Sequence, residues 1–260
     1  MKPKTTIKIL KDLENGRKQI QKAMEKKVSP DTLMQMRRDY LFKTIDNIHY
    51  GVNLSPRRED NRRVISEWTP QQDENAIEYI KHFAETILNL YPEFLISPAS
   101  AKYHGAYAGG LFDHSMAVLE AGVKLCPAFD MTIIDIDPIP FIFHDLCKVG
   151  LYKLVTKTKK DKDGKTVDAS YYEYTNDMLQ IQHGPESLRR ILNARDCVKA
   201  NKPKYTMSNE FQLAVAWHMG KWSIPEDNAE KMNYDRACSM CPEVLLMHTA
   251  DMIASKIMGL

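Results

Sequence analysis

The stretch Phe141-Ile142-Phe143-His144-Asp145-Leu146-Cys147-Lys148 constrains this chain more than any other. An apolar run leads directly into an imidazole and a carboxylate, both good ligands for a borderline divalent metal. On a helix, adjacent residues lie ~100° apart. His144 and Asp145 would therefore reach one ion from two sides, or the aspartate would bridge two. Lys148 stands at i+4 from His144, one turn on along the same face, where an ammonium suits a phosphate. Alone, the dipeptide is weak evidence and reads as a capping or surface pair. The wider chain strengthens the metal reading, because His114 precedes it and His183, His218 and Asp251 follow, each beside an apolar helical stretch.

Taken in order, the chain reads as helical. Ile7, Leu10, Leu13, Ile20 and Met24 fall at helical spacing within 5–27, and a second helix is predicted over 31–48 after Ser29-Pro30-Asp31. Residues 51–63 read as a loop with a basic cluster, Arg57, Arg58, Arg62 and Arg63. Thr69 and Pro70 fit the N-cap and first position of a helix running to about Leu90. An Ala- and Gly-rich loop over 97–110 leads to a helix carrying His114, Val118 and Leu125. A helix over 138–149 carries the His-Asp pair. Residues 152–158 and 167–175, separated by Asp161-Lys162-Asp163-Gly164, predict one β-hairpin. Helices are expected over 184–196, 208–220 and 242–258. The fold class expected is all-α: a helical bundle (69–260) with one inserted β-hairpin, preceded by a basic helical extension (1–68).

Residues 1–70 hold 16 lysines and arginines against 9 acids, a net of +7, whereas the whole chain carries +2. A basic arm on an acidic body can meet nucleic acid, its own body or a second subunit, which would make a homo-oligomer. Met1-Lys2-Pro3-Lys4-Thr5 lacks the apolar core of a signal peptide, and no apolar run approaches the roughly 18 residues of a membrane span. The 5 cysteines are irregularly spaced, which suits a reducing cytoplasm. Cys238-Ser239-Met240-Cys241 is a CxxC without two further soft ligands at matching spacing, so it reads as structural.

The order His…His-Asp…His…His…Asp resembles the HD-domain superfamily of metal-dependent phosphohydrolases. Residues 98–115, running through Tyr103-His104-Gly105-Ala106-Tyr107-Ala108-Gly109-Gly110-Leu111-Phe112-Asp113-His114-Ser115, are similar to the HHAYxGGLLEHT motif of one HD subgroup. That subgroup includes bacterial 3′–5′ exoribonucleases with an OB-fold before the HD domain. His144–Lys148 matches HDxxK, and Thr249-Ala250-Asp251 matches the closing xAD. The resemblance covers roughly 71–260. The first 70 residues lack the alternating strands an OB-fold needs.

The resemblance implies a first metal shell of His114, His144, Asp145 and Asp251. It implies a second ion on His183 and His218, with Asp145 bridging. Lys148 would contact phosphate, its bland alternative being a salt bridge to Asp145 or Asp113. His104 and Lys221 are candidate substrate contacts. Asp145 and Lys148 would carry catalysis, and the cofactor would be two divalent transition-metal ions among Mn, Fe, Ni, Co and Zn. The expected substrate is a phosphorylated small molecule or a nucleic-acid end. Two rivals stand beside the hydrolase: a mixed-valent di-iron oxygenase resembling myo-inositol oxygenase, and a non-catalytic nucleotide- or nucleic-acid-binding module. His49, His82 and His248 receive no role.

Overall fold

The computed structural model describes residues 6–49, 70–131, 136–160, 162, 165–175, 181–198, 205, 207–224 and 228–260. Helix α1 (Thr6–Glu25) and helix α2 (Pro30–His49) form an antiparallel pair, with the Ser29 hydroxyl accepting the Thr32 N–H at the start of α2. The buried stripe of α1 is Ile9, Leu13, Ile20 and Ala23. Ile7, expected on that stripe, is 67% exposed. Counting from Ile9 rather than Ile7 puts Leu13 one turn on and Ile20 on the same side.

Helix α3 (Pro70–Leu90) follows, and its expected cap Thr69 lies outside the described residues, as do Arg57, Arg58, Arg62 and Arg63. Helix α4 (Gly110–Leu125) is buried from Gly110 to Val123. It is buried on every side, polar Asp113, His114, Ser115 and Glu120 included, and such a helix belongs at the centre of a fold. Around it pack α1, α5 (Pro138–Phe143) and α9 (Pro242–Lys256). Helices α6 (His183–Cys197) and α7 (Asn209–Trp217) pack on each other, and α7 packs on α9. Residues of α1 and α2 belong to the same buried apolar cluster as α4, α5, α7 and α9. The expected division at 68/69 falls outside the described residues, and the helices on either side of it share one core.

Strands β1 (Tyr152–Lys160) and β2 (Thr166–Tyr174) form the hairpin, antiparallel from Tyr152 opposite Tyr174 to Lys160 opposite Thr166. The protein is therefore mostly helical with one small two-stranded sheet among the described residues. None of the described helices is long and apolar enough to cross a membrane.

Two elements depart from the sequence reading. Helix α5 stops at Phe143 rather than running to 149, and Leu146–Lys148 form a separate 3-10 turn. The reason is local: His144 Nδ1 donates to the Phe141 carbonyl at 2.9 Å, the acceptor a continuing helix would offer to the Asp145 N–H. Helix α8 (Asn228–Met240) was not expected. Its inward face is little more than Tyr234 and Ala237, too sparse to show a 3.6-residue period.

Candidate metal centre

Each candidate ligand is delivered by a helix end or a central helix. His114 projects from α4, which follows Gly109 in the left-handed conformation (φ 86°). A side chain at Gly109 would also collide with the Arg37 guanidinium, whose nearest atom would lie 2.0 Å from its Cβ. His144 and Asp145 occupy the turn after α5, His183 is the first residue of α6, and His218 immediately follows α7. Gly184 permits that meeting: a Cβ there would sit 2.2 Å from the Ala216 carbonyl oxygen of α7. Asp251 comes from α9, which packs along α4.

Asp145 is the hub, and its two oxygens face different partners. Oδ2 stands 3.5 Å from His114 Nε2, 3.4 Å from His144 Nε2 and 2.6 Å from Lys148 Nζ. Oδ1 stands 2.6 Å from His183 Nε2 and 3.3 Å from His218 Nε2. Asp251 Oδ1 adds a contact to His114 Nε2 at 3.1 Å. Donor atoms of His114, His144 and Asp251 lie within 4.8 Å of one another, as do those of His144, Asp145 and His218, and those of Asp145, Cys147 and His183. All six expected ligands thus converge on one cluster.

The nitrogen chemistry fits a metal. His114 Nδ1 meets the Leu260 carbonyl at 2.8 Å, His144 Nδ1 the Phe141 carbonyl and His218 Nδ1 the Val215 carbonyl at 2.7 Å. A carbonyl can only accept, so each Nδ1 carries the proton, and in a neutral ring Nε2 keeps its lone pair. Those three Nε2 atoms are buried without a hydrogen-bond partner. His114 Nε2 is near both carboxylates but aligned for a hydrogen bond with neither. Orphaned buried polar atoms are costly, and a cation at the focus of three lone pairs and two carboxylates removes that cost.

The metal-free electrostatics are those of a compressed ion cluster. Burial alone would lower the basicity of His114, but the carboxylates of Asp145 and Asp251 outweigh it and raise the pKa to about 9. His183 follows the same balance, burial opposed by Asp145, and also reaches about 9. Burial works to raise Asp145, yet the Lys148 ammonium and the His144 and His114 rings hold it well below the usual carboxylate range. Asp251 is likewise held down, its burial overcome chiefly by His114. Burial opposes the Lys148 charge, and Asp145 and then Asp251 raise its pKa regardless.

The remaining candidates divide. Lys148 is buried and lies on Asp145, so the salt bridge named as its bland alternative is the geometry present. His104 lies against His114 with ring centroids 5.0 Å apart and planes tilted by 39°, and burial, helped by the His114 and Lys148 charges, lowers its pKa to about 4. Lys221 does not join the cluster. The turn after Gly220 (φ 62°) carries it onto α8, where its exposed ammonium pairs with Asp235 at 3.0 Å. Two residues without an expected role matter. His248 Nδ1 donates to the His218 carbonyl at 2.6 Å, tying the end of α7 to the helix that carries Asp251. Cys147 Sγ lies 3.5 Å from His183 Nδ1. Cys238 and Cys241 lie at the α8–α9 junction, and neither belongs to the cluster.

Comparison of the chain with known protein families, curated sequences and solved structures gives no match. A groove between α2 and α3, lined by Arg38, Phe42, Tyr79 and His82 among others, shares no residue with the cluster.

Proposed function

We propose that this chain is a metal-dependent phosphohydrolase of the HD type, acting on a nucleotide or a nucleic-acid end. One observation carries the proposal. Three buried, unpartnered imidazole Nε2 atoms converge with Asp251 on Asp145, whose Oδ2 faces His114 and His144 while Oδ1 faces His183 and His218. That division suits a carboxylate that two ions would share. His114, His144 and Asp251 would hold one ion, His183 and His218 the other.

Ions held there would supply Lewis acidity toward a water and a phosphate. The protein's own groups do the rest. The main-chain carbonyls that accept from the three Nδ1 atoms keep the rings in one tautomer and orientation. Lys148, adjoining Asp145, is the cation suited to a non-bridging phosphate oxygen, and fixed charge of that kind stabilises the transition state without reorganisation. The partly exposed members are His183, Asp251 and His104, so substrate approaches from their side. His104, with its pKa near 4, stays neutral at pH 7 and can offer a hydrogen bond without adding charge.

The test is metal analysis of protein purified without added metal, followed by a phosphate-release screen over nucleotides and short oligonucleotides. Wild type should retain metal and hydrolyse, and Asp145→Ala should lose both. Full metal content in Asp145→Ala would overturn the assignment. Turnover that requires dioxygen and releases no phosphate would favour the oxygenase. Ligand binding with metal but without turnover would favour the binding module.

A further inference from the structure

Three of the four clustered histidines hand their Nδ1–H to main-chain carbonyls. The fourth does not. His183 Nδ1 faces a sulfur, Cys147 Sγ at 3.5 Å, while its Nε2 faces Asp145 Oδ1 at 2.6 Å. His183 is also the least enclosed of the four, with 23% of its side chain exposed, against none for His114, His144 and His218. Packing confines it least, so its orientation depends most on what its second nitrogen touches.

Cys147 is itself fixed from the helix that carries His183. Its N–H donates to Ser187 Oγ at 3.0 Å, and Ser187 stands one turn beyond His183 on α6. Arg190, one turn further along that helix's sequence, donates to the carbonyls of Leu146 and Val149 at 3.0 Å each, gripping the backbone on both sides of the cysteine. Glu186 holds Arg190 in turn at 2.9 Å. Cys147 is fully buried. Its thiol therefore has a defined place relative to the imidazole, as a main-chain carbonyl would.

We infer that Cys147 is a positioning residue: its sulfur accepts from His183 Nδ1–H and so aims His183 Nε2 at the ion shared with Asp145 Oδ1 and His218. This rests on the two-ion reading of the cluster. Sulfur is a weak acceptor, so His183 is held less firmly than the other three rings, and the ion it serves is the weaker-bound of the two. The competing role, thiolate as a direct ligand, draws on the same three residues, Asp145, Cys147 and His183. The two roles differ in their consequences for an ion's spectrum.

The experiment is cobalt(II) titration of the full-length metal-stripped protein, with wild type, Cys147→Ser and Cys147→Ala. Loss of an outer hydrogen-bond partner weakens a metal site by roughly 10–100-fold. Cys147→Ala should weaken the second cobalt by that factor and leave the first unchanged, while Cys147→Ser, which keeps an acceptor, should restore most of the affinity. Wild type should show no near-ultraviolet sulfur-to-cobalt charge-transfer band. Such a band, or equal second-ion affinity in wild type and Cys147→Ala, would overturn the inference. A metal-free readout separates this from failure of the metal reading. At fixed pH, ¹⁵N spectra of the His183 ring should show a hydrogen-bonded Nδ1–H in wild type and Cys147→Ser, altered in Cys147→Ala. Identical His183 signals in all three proteins would overturn the positioning role even if no ion binds.

Discussion

Arg37→Leu is the substitution whose cost follows most directly from the structure. Arg37 lies on α2 but is spent inside the body, only 2% exposed. Its Nε and Nη2 donate to Asp113 Oδ1 and Oδ2 at 3.3 and 3.2 Å, Nη1 donates to the Leu95 carbonyl at 3.2 Å and Nη2 to the Ala108 carbonyl at 3.3 Å. Leucine fills part of the volume but leaves the buried Asp113 carboxylate without its cation, held by the Tyr107 hydroxyl at 3.0 Å. Burial already pushes the Asp113 pKa upward, with Arg37 the chief opposing influence. Removing one partner of a buried pair costs about 3–5 kcal/mol, a large share of the 5–15 kcal/mol typical of a folded domain. Urea unfolding followed by circular dichroism should show the midpoint falling with an unchanged slope. Adding Asp113→Asn should recover part of the loss, because the stranded charge goes. The exposed pair Lys18–Glu14 on α1 is the control, and Glu14→Ala should leave the midpoint unmoved. A loss below about 1 kcal/mol for Arg37→Leu would refute the view that α2 is stapled to α4 by a desolvated ion pair.

Three further outcomes concern the cluster. Metal uptake should strengthen as pH rises toward 9, with proton release measurable by calorimetry in buffers of different ionisation enthalpy, because His114 and His183 of the metal-free protein titrate at about 9 and the metal must displace those protons. The sign reverses for metal-free stability: a histidine raised from about 6.5 contributes fully below that pH and loses the contribution as pH climbs through 9, so the metal-free melting temperature should fall across that window. An affinity that does not change from pH 6.5 to 9 would count against protonated rings in the metal-free site. Gly184→Ala would place a Cβ 2.2 Å from the Ala216 carbonyl, so α6 must move off α7 at a cost of about 1–3 kcal/mol. On the two-ion proposal, metal content should fall by the ion that His183 and His218 would share, and unaltered stability and metal content together would show that the helices need not approach so closely.

Local chemistry made much of this protein legible before any coordinates. The alternation over Tyr152–Thr158 and the turn residues after it predicted β1 and β2, because strand period and hairpin turns depend on residues close in sequence. Apolar spacing over 5–27 and the Ser29-Pro30-Asp31 break placed α1 and α2 to within a few residues for the same reason. The six residues His114, His144, Asp145, His183, His218 and Asp251 could be named because their order resembles that of the HD-domain superfamily. What they do to one another could not. Helix α5 ends at Phe143 because a side-chain nitrogen takes a backbone acceptor, a competition invisible to periodicity. Lys221 sits beside His218 in sequence yet turns toward Asp235, and His248, given no role, holds the His218 carbonyl. Arg37 and Asp113 are 76 residues apart, so nothing near either one announces the pair. Cys147 looks like filler in a motif until α6 brings His183 against it. The assignment of the two Asp145 oxygens to different histidines was likewise decided only in three dimensions, because it depends on where four separate helices end relative to one carboxylate.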